Sequence, residues 1–156
     1  MRTSFITDRI DIDAVIKACS ICFVGITEAD GSPYVIPMNF GYDGHEIILH
    51  SGPTGKHLSL LELSNKVCVT FCPGGKLLYQ HPDVACSYSM DSKSVPCKGT
   101  VTFIEDLAEK ELALNLTMKH YTDRSFKYST PALRNVKIWR VRIDEITSKA
   151  FGQNFR

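Results

Sequence analysis

Two Asp-Gly dipeptides, Asp30-Gly31 and Asp43-Gly44, do most to restrict what this chain can become. They separate runs rich in β-branched and aromatic residues: Cys22-Phe23-Val24-Gly25-Ile26-Thr27, Tyr34-Val35-Ile36-Pro37-Met38-Asn39-Phe40 and His45-Glu46-Ile47-Ile48-Leu49-His50. A turn of this kind closes an antiparallel hairpin, whereas a parallel crossover needs about a dozen residues or more. The three runs are therefore expected to follow one another as an antiparallel meander. Pro37 has no amide N–H, which predicts an edge, a bulge, or a place where a ligand rather than a strand meets the backbone.

The remaining pattern adds short helices between further strands. Thr7 and Asp8 offer caps for a helix over 7–18 that carries Ile10, Ile12, Val15, Ile16 and Ala18. Ser51-Gly52-Pro53-Thr54-Gly55 breaks the extended pattern, and Leu58, Leu60, Leu61 and Leu63 predict a short helix over 56–63. A strand over 66–72, a Pro73-Gly74-Gly75 loop and strands over 84–90 and 95–104 come next. The helix over 108–121 is read with Leu107, Leu112, Leu114, Leu116 and Met118 as its apolar residues and Glu109, Lys110 and Glu111 as its wet side. Residues 122–135 read as irregular. In the last strand, 136–143, apolar residues alternate with basic ones, so one face is wet or meets something anionic. About six strands with short helices make a mainly β (α+β) antiparallel barrel, closed or half-open. With no repeat or linker, its 156 residues are expected to form a single domain, 1–156.

Charge and composition exclude several functions. Lys and Arg total 18 against 17 Asp and Glu, so no basic surplus predicts nucleic acid or an anionic membrane as partner. No apolar run approaches the ~20 residues of a membrane-spanning helix. The start, Met1 to Asp8, lacks the apolar core of a secretory signal, and a cytoplasmic address is expected. Cys19, Cys22, Cys68, Cys72, Cys86 and Cys97 lie mostly among apolar residues, where a thiol behaves as a small hydrophobe. Cys19, Cys22, Cys68 and Cys72 can alternatively be read as a metal or redox set, but neither pair sits in the polar turn such sites usually occupy. No metal is expected.

The most informative junction is 47–63. Gly52, Thr54 and Gly55 free backbone amides, the helix start points its dipole and unpaired N–H groups at the same place, and Lys56 and His57 add charge and donors. Hydroxyls of Ser51 and Thr54 complete a set suited to a phosphate, which would favour a protonated His57. The alternative is a plain helix cap with surface Lys and His. Cations in a first turn oppose the helix dipole, which favours a bound anion.

The segments Pro33-Tyr34-Val35-Ile36-Pro37-Met38-Asn39-Phe40-Gly41-Tyr42-Asp43-Gly44, Ile48-Leu49-His50-Ser51, Gly55-Lys56-His57-Leu58 and Asn65-Lys66-Val67-Cys68 occur in an order that resembles the pyridoxamine 5′-phosphate oxidase-like split-barrel flavoproteins. Within them the chain most resembles the nitroimidazole-resistance branch. The resemblance runs through the closing strand Ile138-Trp139-Arg140-Val141-Arg142-Ile143 and implies a six-stranded antiparallel split β-barrel of the FMN-binding type. It implies FMN, with FAD as the longer alternative, at the interface of a homodimer. By position, Val35, Ile36, Pro37, Met38, Asn39 and Phe40 would run beside the isoalloxazine ring. His50 and Ser51 would lie near ring and phosphate, and Lys56 and His57, the latter replacing the more usual Arg or Lys, would grip the phosphate together with Thr54. Ser94 is a further candidate, although Pro96 departs from the family pattern. Trp139 and Arg140 are read as reaching the cofactor from the partner subunit, or Trp139 as core.

In the nitroimidazole-resistance branch the implied reaction is reduction of a nitroimidazole to an amine by reduced flavin. His50 resembles the branch's active-site histidine, which would donate a proton or orient the substrate; a strand-end histidine bonded to backbone is the alternative. His45, His81 and His120 read as surface or loop residues. Two other activities stay open: a flavin-binding module of the same fold without turnover, and pyridoxamine phosphate oxidation. The latter expects a further basic set near the C-terminus, where only Lys149 and Arg156 stand.

Overall fold

The computed structural model describes residues 3–152; Arg156 lies outside them. In chain order the elements are β1 (Thr3–Phe5), α1 (Arg9–Lys17), β2 (Cys22–Thr27), β3 (Pro33–Met38), β4 (Gly41–Tyr42), β5 (Glu46–Ser51), α2 (Lys56–Leu63), β6 (Lys66–Phe71) and β7 (Gly75–Leu78). A short 3-10 turn, Ala85–Ser87, leads into β8 (Ser89–Ile104), then α3 (Leu107–Tyr121), α4 (Thr130–Asn135), β9 (Lys137–Ile146) and β10 (Lys149–Phe151). Every strand pair is antiparallel, and the main sheet runs β3-β2-β6-β8-β9-β5-β4. This is a split β half-barrel with short helices, built from ten strands rather than six.

Both Asp-Gly turns form. Gly31 and Gly44 adopt φ of 87° and 100°, and Asp30 and Asp43 accept hydrogen bonds from Ser32 N and from His45 N and Glu46 N. The meander does not. β3 pairs with β2 but not with β5; after Gly41↔Ile48 and Tyr42↔Ile47 the second hairpin forks, and β5 takes β9 as its other neighbour. The two ends of the sheet are thus consecutive pieces of chain, joined through Asn39 and Phe40.

The core fills the inside of the curl, with Val24, Ile47, Leu49, Val69, Phe71, Val95, Trp139 and Val141 lacking exposure, and Ile12, Val15 and Ile16 of α1 closing one end. Asp8 caps α1 by accepting from Ile10 N and Asp11 N. On the outer face, Ile48, Ile104 and Ile138 pack with Ala113 of α3. α3 forms where expected, with Leu107, Leu114, Leu116 and Met118 half-buried and Glu109 and Glu111 exposed, but two positions go the other way: Lys110 is buried while Leu112 is 70% exposed. The Lys110 Nζ donates to the carbonyls of Leu133 and Val136 at 3.1 and 2.8 Å, a cation closing the C-terminus of α4. α4 itself lies in the stretch expected to be irregular.

Two further expectations fail. Residues 84–88 are no strand, and the Pro-Gly-Gly loop opens directly into β7, which pairs with the first part of β8. That part of β8, flanked on its other side by β10 and through it β1, forms a small arm beside the barrel. The basic side chains of β9 do meet anions, those of the chain itself. Arg140 lies between Glu46 and Glu109, its Nε 3.1 Å from Glu46 as an ion pair not aligned as a hydrogen bond, and Arg142 pairs with Asp144.

Candidate flavin site

The fork brings the expected residues to one seam. β3 is an edge strand, as Pro37 allows. The Phe40 N–H turns to the β2 side, so strand alternation turns Met38, Ile36 and Tyr34 that way too and leaves positions 33, 35 and 37 facing the open edge. Pro33 and Pro37 occupy two of these, so the edge offers carbonyls and a single N–H, from Val35. Val35 and Asn39 are exposed, and Tyr34, Ile36 and Met38 pack against the core. Phe40 is fully buried instead, edge-on to Phe71 at 4.8 Å and tilted against His120 at 4.4 Å, with its N–H given to the Tyr121 hydroxyl. It is a core residue at the head of the fork.

On the other side, β5 runs into the loop 52–55. Gly55 has φ of 152°, no side chain caps α2, and no acid stands in its first turn, so its leading N–H groups face the loop uncapped. A groove of about 440 Å³ runs past Thr54, Gly55, Ser59, Glu62, Phe103 and Lys137, whose ammonium is itself paired with Glu105. A larger concavity, about 650 Å³, opens elsewhere, on the outer sheet face around Gly25 and Cys68. Its lysines are neutralised by neighbours, Lys66 by Asp144 and Lys98 by Glu145, and no helix start faces it.

Lys56 and His57 behave differently from one another. Lys56 Nζ donates to Glu28 Oε1 at 2.8 Å and lies 4.8 Å over the Tyr34 ring; the hydrogen bond to Glu28 raises its pKa. His57 folds under the loop, where a Cβ on Gly55 would come within 2.4 Å of its ring, and lies tilted against Trp139 at 5.1 Å. Burial lowers its pKa, and its Nε2 has no partner. Its ring thus packs beneath the loop, whereas Lys56 stands at the surface. Trp139 has no exposure, so the core reading holds for it; its indole Nε1 is also unpartnered.

His50 lies opposite Ile138, on the face covered by α3, whereas its neighbour Leu49 and His57 belong to the inner face. Burial lowers its pKa and leaves its Nδ1 without a partner, giving a neutral imidazole beside the fork rather than one bonded to backbone. Ser51 Oγ donates to Gly52 O at 3.0 Å. Ser94 sits on the arm opposite Lys149. Sequence reasoning missed His120 and Tyr121, which reach the Cys19 and Ser20 carbonyls at 2.7 and 2.8 Å; nothing in their spacing on α3 announces it.

The thiols offer little chemistry. Burial pushes Cys22 and Cys97 up to about 12 and Cys19 up to about 11. Among the described residues no three His, Cys, Asp or Glu side chains converge as metal ligands, and no helix is long and apolar enough to cross a membrane.

A split barrel with an open seam beside a glycine-bearing helix start defines a class, and a family model described as pyridoxamine 5′-phosphate oxidase matches residues 8–150: the chain belongs to that family. More particularly, it is 51% identical to a Bacteroides thetaiotaomicron protein described as a candidate 5-nitroimidazole antibiotic resistance protein, over 97% of this chain and 89% of that one, with a TM-score of 0.89. At lower identity the fold alone is shared with an FAD- and heme-binding protein of Mycobacterium smegmatis (18%, TM-score 0.82, 96% and 73% covered). The same holds for an FAD-binding protein of Mesorhizobium loti (21%, TM-score 0.67, 96% and 99% covered). No curated protein matches the chain.

Proposed function

We propose that this protein is a flavin-dependent reductase that takes the nitro group of 5-nitroimidazole-type compounds to an amine in three two-electron steps, its flavin re-reduced between them by an external electron donor, as a homodimer with FMN, or the longer FAD, between its subunits. The observation that carries the reading is the half-identity to the Bacteroides protein along nearly the whole chain. The open seam supports it through the backbone groups and donors it leaves unpaired. The β3 edge, Val35 to Pro37, offers in-plane carbonyls and the Val35 N–H to the ring. The uncapped start of α2, with Ser51, Thr54 and Lys56, offers donors to the phosphate.

Bound there, the flavin supplies electron transfer, and the protein supplies orientation and a water-poor wall. Lys56 exchanges Glu28 for the phosphate. His57 holds the loop through Trp139 without carrying charge. His50, neutral at physiological pH, holds a proton on one ring nitrogen for the substrate. Ser94, on the arm, is a further candidate contact to the flavin.

Purified protein is expected to be yellow and to release FMN or FAD by mass analysis. After anaerobic reduction, a 5-nitroimidazole should restore its oxidised spectrum much faster than buffer does. Colourless protein that takes up neither flavin overturns the cofactor; a reduced protein indifferent to the drug overturns the reaction. His50→Gln should keep flavin and slow reoxidation; equal rates in the two proteins remove its role.

A further inference from the structure

One turn of α3 touches the head of the fork at several points. Gly41 meets the backbone of Thr117 so closely that a Cβ would fall 2.8 Å from its N. His120 Nε2 contacts the Cys19 carbonyl at 2.7 Å and its ring lies against Phe40. The most specific contact is made by Tyr121. Its hydroxyl accepts from the Phe40 N–H at 3.1 Å and donates to the Ser20 carbonyl at 2.8 Å.

The register gives this pair of bonds its meaning. Cys22 lies opposite Met38, so the ladder between β2 and β3, continued inward, places Ser20 opposite Phe40. The next rung would be a direct bond from Phe40 N–H to Ser20 C=O. The Tyr121 hydroxyl stands in that rung and satisfies both groups, as a bridging water would. With the rung occupied, the chain leaves β2 at Met38 and crosses to β5 at Gly41, which is the divergence that opens the seam.

We propose that Tyr121 is a positioning residue whose hydroxyl relays the Phe40–Ser20 hydrogen bond, keeps the β2–β3 ladder from zipping one rung further, and so holds the fork at the width a flavin ring needs. The proposal rests on the flavin reading above, and its two halves are measured separately. It differs from a structural tyrosine in what its removal does: the ladder gains a rung while the site loses its ligand.

The test is Tyr121→Phe in the full chain, followed by nuclear magnetic resonance and by FMN titration. Wild-type protein should lack a through-hydrogen-bond coupling between Phe40 N and Ser20 C′, and Y121F should gain it. The FMN dissociation constant of Y121F, read from flavin fluorescence quenching, should rise at least about tenfold. A wild-type protein that already shows the direct coupling overturns the proposal without any variant, which covers the case of a variant that fails to fold. Unchanged FMN affinity, with or without the new rung, reduces Tyr121 to an ordinary satisfied tyrosine. If wild-type protein binds neither FMN nor FAD, the flavin half falls with the functional reading, and the coupling alone decides whether the hydroxyl holds the fork.

Discussion

Along the wall of the barrel, β8 and β9 pair from Cys97↔Ile146 to Ile104↔Ile138, and Val69, Val95, Trp139 and Val141 beneath them have no exposure. Along the seam, β3 pairs on one side only, Val35 is 59% exposed, and β5 loses its second neighbour after Ile48. Both belong to one sheet. The wall spends its backbone donors and acceptors on the fold; the seam leaves some of its own unpaired, which under the proposed function serve the flavin. Substitutions in the wall should therefore cost stability, and substitutions at the seam should cost ligand.

Trp139→Ala, in the wall, should have the largest effect, lowering unfolding free energy by about 3–5 kcal/mol through cavity formation. The measurement is a urea midpoint at constant m-value; a loss below 1 kcal/mol, on the order of a surface change, would erase the distinction. Gly41→Ala stands where the two regions meet, and its Cβ would press on the Thr117 backbone rather than on a movable side chain. About 1–3 kcal/mol of stability should go, with weaker flavin binding as well; a loss confined to one of these would move Gly41 wholly into one region.

Lys56→Ala should leave the urea midpoint in place and weaken FMN about tenfold, the scale of one charge-assisted hydrogen bond. Glu28→Gln sharpens the point, since freeing Lys56 should tighten FMN. Weaker FMN in Glu28→Gln would show that the carboxylate places Lys56 rather than competing for it.

The smallest effect concerns pH. Burial holds His50 and His57 below the ordinary histidine range, so on acidification the unfolded chain takes up protons first. Their contribution is whole above about 6.5 and fades as the pH falls below it. His50→Gln should flatten the acid limb of stability against pH; an unaltered limb would mean that His50 charges freely in the fold.

What could be read in the residues was local. Asp30 and Asp43 announce their turns through side-chain bonds within a few positions, and Asp8 announces its helix in the same way. The fork could not be read, because Asp43-Gly44 reports only that the chain reverses, not that pairing stops after Gly41↔Ile48. On α3 the apolar face was legible except at Lys110 and Leu112, because the decisive partners of Lys110, the carbonyls of Leu133 and Val136, lie beyond the helix. Lys56 and His57 look alike in sequence as a basic pair. Only packing separates them, one held at the surface by Glu28 and the other tucked against Trp139.

The prolines at 33 and 37 carry one more consequence. An unpaired strand invites a neighbouring molecule to add its own strand, the first step of aggregation. Without amide hydrogens at those two places, the exposed border of β3 cannot template a regular intermolecular ladder, although a small planar guest needing acceptors and one donor can still settle there. The same prolines that leave this border free for the proposed flavin thus guard the protein against polymerising through it.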